Sequence, residues 1–160
     1  MSLFDSIKDS VKPELQRAFI ARPPEHSNDI VFMWPDRNIR MLSQLTVHQD
    51  EVCLFCKGGT VAGVLQAKGG SYTLDSHNIP FLSTFLEGFT GGNMFMAELW
   101  FILTREVVGQ KFGGPVGLLK DPTQPMVAVT PLVHGEFSLK VTDAQQLVVG
   151  MVGMQHTSNA

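Results

Sequence analysis

The spacing of apolar positions divides the chain into a helical stretch, a connector and a long region of strand period. In residues 2–12, Leu3, Phe4, Ile7 and Val11 recur at three- and four-residue intervals, the spacing that places side chains on one face of a helix. Ser2 stands where an N-cap would accept the first free backbone N–H groups. Pro13 either ends this helix or opens a second one at its first position, and the stripe then continues through Leu15 and Phe19. Residues 21–29, ARPPEHSND, are a Pro-rich connector that no helix crosses.

From Ile30 onward the period is two. Ile30–Trp34 is a short apolar run stopped by Pro35-Asp36, and Gln44–His48 alternates Leu45 and Val47 with polar neighbours, both readings for strands. Glu51–Lys57 and Thr60–Gln66 flank Gly58-Gly59 and predict a hairpin. Gly69-Gly70 turns the chain into Tyr72-Thr73-Leu74, and Asn78-Ile79-Pro80 sets a corner, because proline restricts the residue before it. Met94–Thr104 predicts a strand with Phe95, Ala97, Leu99, Phe101 and Leu103 on one face and Met94, Met96, Glu98, Trp100 and Ile102 on the other. Both faces are apolar, so both should be covered; Glu98 must find a donor, an edge or an interface. Strands are also predicted at Met126–Val133 and Gly135–Val141. Asp143 is placed to cap a helix over Ala144–Val149. About eight strands against two short helices make an α+β domain dominated by an antiparallel or mixed sheet.

Composition sharpens this picture. A chain of 160 residues fits one domain. With 44% hydrophobic and only 17% charged residues, part of the surface should remain apolar until a partner covers it. The net charge of −3 provides no basic field, which argues against nucleic acid. Apolar runs such as Leu99–Leu103 stop far short of the ~20 residues of a spanning helix. The first ten residues carry Asp5 and Asp9 where a signal peptide would be basic, so the expected location is the cytoplasm, with peripheral contact at the inner membrane face as an option. There, Cys53 and Cys56 would be reduced thiols. The charges of the N-terminal stretch, Asp5, Lys8, Asp9, Lys12, Glu14 and Arg17, cancel. Its apolar stripe is therefore expected to pack on the domain or a neighbouring subunit in preference to lying on lipid, since interfacial helices usually carry a basic face.

Candidate chemistry is sparse. Cys53-Leu54-Phe55-Cys56 before Gly58-Gly59 has the spacing of half a zinc site, but a structural zinc needs four ligands and no second pair follows. The same four residues fit an apolar strand with buried thiols, and a redox role would need a helix N-terminus to lower a thiol pKa. His26, His48, His77, His134 and His156 show no metal-binding spacing, and solvent-facing or turn positions suit them. Gly109, Gly113, Gly114 and Gly117 match no phosphate loop, and Gly113-Gly114-Pro115 reads as a turn. No G-x-S-x-G elbow is present. No cofactor is expected, and catalysis finds no support.

The succession CLFCKGGTVAGVL, GGSYTLDSHNIPFLSTF, NMFMAELWFILT, LLKDPTQPMVAVTPLVHGEFSLKVTD and AQQLVVGMVG resembles the SPFH (Band 7) superfamily, the relatives of stomatin, prohibitin and flotillin. Within it the chain looks most like the bacterial branch labelled virion core protein-like, and the likeness runs from about Leu3 to Gly153. The resemblance implies an SPFH-like domain: a curved antiparallel or mixed sheet, or partial barrel, with short flanking helices. It further implies a non-enzymatic, oligomerising protein that organises others at membranes. Gly70, Tyr72, Leu74, Asn78 and Pro80 would be its structural corner, and Phe137 to Asp143 the strand leading into the next helix. Such relatives continue into more helix and then a coiled-coil or zinc-ribbon tail; this chain is therefore expected to be an N-terminal part or a short form. Cys53 and Cys56 depart from the aliphatic residues of relatives.

The expected organisation is a helical segment over 1–20, an SPFH-like domain over 21–153 and a tail over 154–160. The expected function is a non-catalytic scaffold, homo-oligomeric, that recruits or organises membrane-associated proteins at the cytoplasmic face. Leu3, Phe4, Ile7 and Val11 are the candidate partner or membrane contacts, with Glu98 and Trp100 as further candidates. A small apolar-ligand binding module is the alternative, and a zinc or redox protein using Cys53 and Cys56 a weaker one.

Overall fold

The computed structural model describes residues 19–86 and 94–157, with side chains as far as Met151. The chain forms two compact units, one made of residues 1–105 with 141–160 and the other of Glu106–Lys140. Sheets dominate both, helices are few and short, and no closed barrel forms among the described residues.

The first unit begins with β1 (Phe19–Ile20), β2 (Val31–Met33), β3 (Asn38–Arg40) and β4 (Gln44–Thr46). Next come β5 (Glu51–Lys57), β6 (Thr60–Gln66) and β7 (Ser71–Thr73), then α1 (Ser83–Leu86), β8 (Met94–Met96) and β9 (Glu98–Leu103). The helix α2 (Ala144–Thr157) completes it. Its largest sheet has the order β2-β9-β5-β6 and is antiparallel throughout. The hairpin β5–β6 turns on Gly58 (φ 58°) and Gly59 (φ 80°), two positive φ values that only glycine adopts at low cost and that give the twist a two-residue hairpin needs. A second sheet has the order β1-β4-β7, with β1 and β4 parallel, and a third pairs β3 with β8.

The core is built on the two faces of β5 and β9. Cys53, Phe55, Leu99 and Phe101 face one cluster with Leu45, Leu74, Ile79, Leu82, Phe85 and Phe95. Leu54, Cys56, Trp100 and Ile102 face the other, closed by Val148 with Ala144, Leu147 and Met151 of α2. Each such side chain adds about 1.5–3 kcal/mol by leaving water, so a strand apolar on both faces is stable only because both are covered. Asp143 caps α2, its Oδ1 accepting the Gln146 N–H at 2.9 Å. At the corner, Asp75 Oδ1 accepts the Asn78 N–H at 2.6 Å, and Asn78 Nδ2 donates to Asp75 Oδ2 at 2.7 Å. Pro80 then opens a short 3-10 turn, Pro80–Leu82, which runs into α1.

The structure corrects several local expectations. The strand at 94–104 is two strands, broken at Ala97, whose N–H bonds instead to the Arg37 carbonyl at 2.9 Å. Phe19 belongs to β1 and is largely exposed, not to a helical stripe. Gly113-Gly114-Pro115 is not a turn but the end of a strand.

That strand, β10 (Val107–Pro115), lies in the second unit with β11 (Leu119–Lys120), β12 (Ala128–Val129) and β13 (Leu132–Leu139). β10 pairs antiparallel with β13, and β11 with β12. Val116 N–H donates to the Pro131 carbonyl between the two pairs, so the unit is one long two-stranded ribbon. The turn at its end is tied by Asp121, which accepts both the N–H and the hydroxyl of Thr123.

Candidate functional site

Three places in the described chain combine polar or apolar groups in a way that could serve function. The first is a charge cluster in the first unit. Arg22 and Glu51 are both buried, 6% and 2% exposed, and Arg22 Nε donates to Glu51 Oε2 at 2.6 Å. Arg22 Nη1 also donates to the carbonyls of His26 and Asp29. The other carboxylate oxygen, Oε1, accepts the His48 backbone N–H at 3.0 Å and faces His48 Nδ1 at 2.8 Å. A cavity of about 210 Å³ borders the group. Both oxygens of Glu51 are thus engaged by fixed donors, which suits a tie between the connector and β5 better than proton transfer. Removing one partner would leave the other charge buried and unpaired, at about 3–5 kcal/mol.

The second is a groove of about 610 Å³ whose walls include Phe19, Ile20, Phe32, Trp34, Pro35 and Ile39. Glu25, His26 and Asp36 bring the polar groups of its rim. Mostly apolar lining with a few polar groups is the usual make-up of a small-molecule site.

The third is the ribbon. All of Glu106–Lys140 is described, and none of its residues is buried. Val108, Phe112, Val116, Leu118, Leu119, Met126, Val127, Val129, Leu132, Val133, Phe137 and Leu139 are all exposed, Met126 almost completely. Alternation places Phe112, Val133, Phe137 and Leu139 on one face, with the rings of Phe112 and Phe137 centred 6.1 Å apart. Lys111, His134, Glu136 and Ser138 lie on the other together with Leu132, and there Ser138 hydrogen-bonds to Glu106. An isolated two-stranded ribbon is marginal in water, and an exposed apolar surface of this extent marks an interaction site.

Among the residues picked out from the sequence, Leu3, Phe4, Ile7 and Val11 lie outside the described residues. Trp100 is buried against α2, because the second face of β9 is covered from within the unit, so it packs the core and does not meet a partner. Glu98 finds its donor in Arg37 Nη2, at 3.0 Å. Cys53 and Cys56 sit buried on opposite faces of β5, in different clusters, so the two sulfurs do not converge on one ion. Burial pushes both thiols up, Cys56 to about 11, with Glu51 adding to the effect at Cys53 and Glu98 at Cys56; neither is a thiolate near neutral pH. No group of three or more His, Cys, Asp or Glu side chains among the described residues could hold a metal ion. The exposed ribbon is hidden in the sequence because Gly109, Gly113 and Gly114 disguise β10. The ribbon's legible signals are the strand predicted over Met126–Val133, which overlaps β12 and the start of β13, and the alternation of Phe137 and Leu139.

The family described as SPFH domain-Band 7 matches residues 31–160, from β2 through α2. The chain belongs to the SPFH domain-Band 7 family. A curated relative, "Uncharacterized protein YdjI" of Bacillus subtilis (strain 168), is 31% identical over 144 residues. The alignment covers 88% of this chain and 43% of that protein, so the chain spans less than half of that relative's length. No solved structure matches it. SPFH domain-Band 7 proteins are in general membrane-associated scaffolds and not catalysts. Among the described residues, no helix is long and apolar enough to cross a membrane.

Proposed function

We propose that this SPFH domain-Band 7 chain is a non-catalytic scaffold that self-associates and helps to recruit or organise proteins at the cytoplasmic face of a membrane. The observation that carries this reading is the ribbon Glu106–Lys140, a folded unit with no buried residue and a dozen exposed large apolar side chains. A surface of that kind supports contact with a protein partner or a membrane. Among the described residues, the charge cluster at Glu51 and the two buried thiols are held in structural roles, which suits a scaffold. Light scattering coupled to size exclusion, with and without liposomes, tests the proposal. A discrete oligomer, or cofractionation with lipid, supports it; a monomer that ignores lipid overturns it for these 160 residues.

The groove beside Phe32 and Trp34 supports a second reading, a module that binds a small apolar ligand. Its volume and lining suit such a ligand. Native mass spectrometry of the purified chain decides, since a retained mass beyond that of the polypeptide favours this reading and its absence counts against it.

A further inference from the structure

The two strands of the ribbon differ in how they treat their outer edges. β10 is blunted: its register shifts between Val107 and Gln110, Gly109 has φ 71° there, and Pro115 ends it without an N–H. Bulges and prolines are the usual means of closing an edge to further pairing. β13 has neither. From Leu132 to Leu139 it contains no proline and one carboxylate, Glu136, and among the described residues it pairs with β10 alone. It therefore presents a row of eight residues with one side of the backbone unpaired. Such an edge is a template for another strand.

We propose that a second copy of this chain adds to the edge of β13, antiparallel and centred on Gly135, so that two ribbons become one four-stranded sheet in the order β10-β13-β13-β10. This rests on the self-association reading and names its surface. The register follows from parity and charge. A two-fold axis through the sheet keeps each face continuous, so opposed residues must lie on the same face. Centring on Gly135 sets His134 against Glu136 of the second copy, and Glu136 against its His134. On the apolar face it sets Val133 against Phe137, twice. Shifting the centre to Glu136 would oppose two carboxylates, which is unfavourable directly across strands, and shifting it to His134 would set each Glu136 against Leu132, with no donor opposite it. At Gly135 itself an added Cβ would lie 2.7 Å from the Phe112 ring, so the ring already lies over the axis position. The ribbon's charges, Glu106, Asp121 and Glu136 against Lys111, Lys120 and Lys140, cancel. Like copies therefore meet no net repulsion, and an anionic lipid surface gains no attraction. Four strands with one apolar face also pass the size at which a sheet becomes stable, which two strands do not.

The test uses the full chain. Light scattering over a concentration series should show a dimer that Glu136→Lys weakens about tenfold, and that His134→Glu added to Glu136→Lys restores by placing opposite charges across the edge. Circular dichroism checks that each variant remains folded. As an independent measurement, His134→Cys and Glu136→Cys chains, mixed and oxidised, should form a cross-linked dimer that neither forms alone. Opposed strand residues lie ~4.5–5.5 Å apart at Cα, within disulfide range. A dimer that persists in Glu136→Lys, with no cross-link on mixing, overturns this edge and leaves self-association standing. A monomer at every concentration overturns both.

Discussion

Cys53 and Cys56 show how one local fact, strand alternation, decides the chemistry of two residues. Three positions apart on β5, they point to opposite clusters, and each thiol is held protonated chiefly by the loss of water around it. The direction of the pH effect follows. Below the usual thiol pKa near 9, folded and unfolded chains are both protonated. As pH rises from about 9 to about 11 the unfolded chain loses these protons while the folded chain keeps them, so unfolding is favoured and stability falls. Urea denaturation at about pH 8 and about pH 10.5 should show that loss, and it should be smaller in Cys56→Ala than in the parent chain. Equal losses in both would mean that the Cys56 thiol ionises alike folded and unfolded. The CxxC spacing is visible in the sequence, and so is its strand context. The orientation of each thiol follows once the register is known.

Among the elements, those fixed by a local rule are readable and those fixed by distant partners are not. Gly58-Gly59 between two alternating segments gives β5 and β6 with the observed boundaries, because a two-residue hairpin turn is itself local chemistry. Asp143 gives α2 for the same reason, although the helix runs on to Thr157, past the Val149 to which the sequence extends it. Replacing the cap in Asp143→Ala should cost about 1 kcal/mol, a fall in Tm of roughly 2–4 °C for a chain of this size. Asp143→Asn, which can still accept the Gln146 N–H, should restore most of it. Thermal denaturation followed by circular dichroism checks both, and equal Tm values for Asp143→Ala and the parent would remove the cap from the account. By contrast β1 and β3 are short strands whose pairing with β4 and β8 is set by tertiary contact, and nothing local announces them. β10 carries glycines at positions that read as turns, and only its ladder with β13 makes it a strand.

For the whole molecule, the division into a well-buried unit and an unburied ribbon explains why composition alone points to partners. The excess of apolar residues is not spread evenly: the first unit buries its share in two clusters, while the ribbon leaves its own exposed. The stripe Leu3, Phe4, Ile7 and Val11 is the other reserve of apolar side chains, and two outcomes for it are separable by magnitude. If the stripe packs into the core, Phe4→Asp with Ile7→Asp removes two apolar side chains from a dry environment, each worth about 1.5–3 kcal/mol, and Tm should fall on the order of 10 °C. If it serves a partner or a lipid surface, Tm should remain within about 2 °C while cofractionation with liposomes, or with a captured partner, is lost. We expect the second result, because described residues of the first unit already form an apolar cluster on each face of β5 and β9. A large fall in Tm would make the stripe core, and contact with partners would then rest on the ribbon alone.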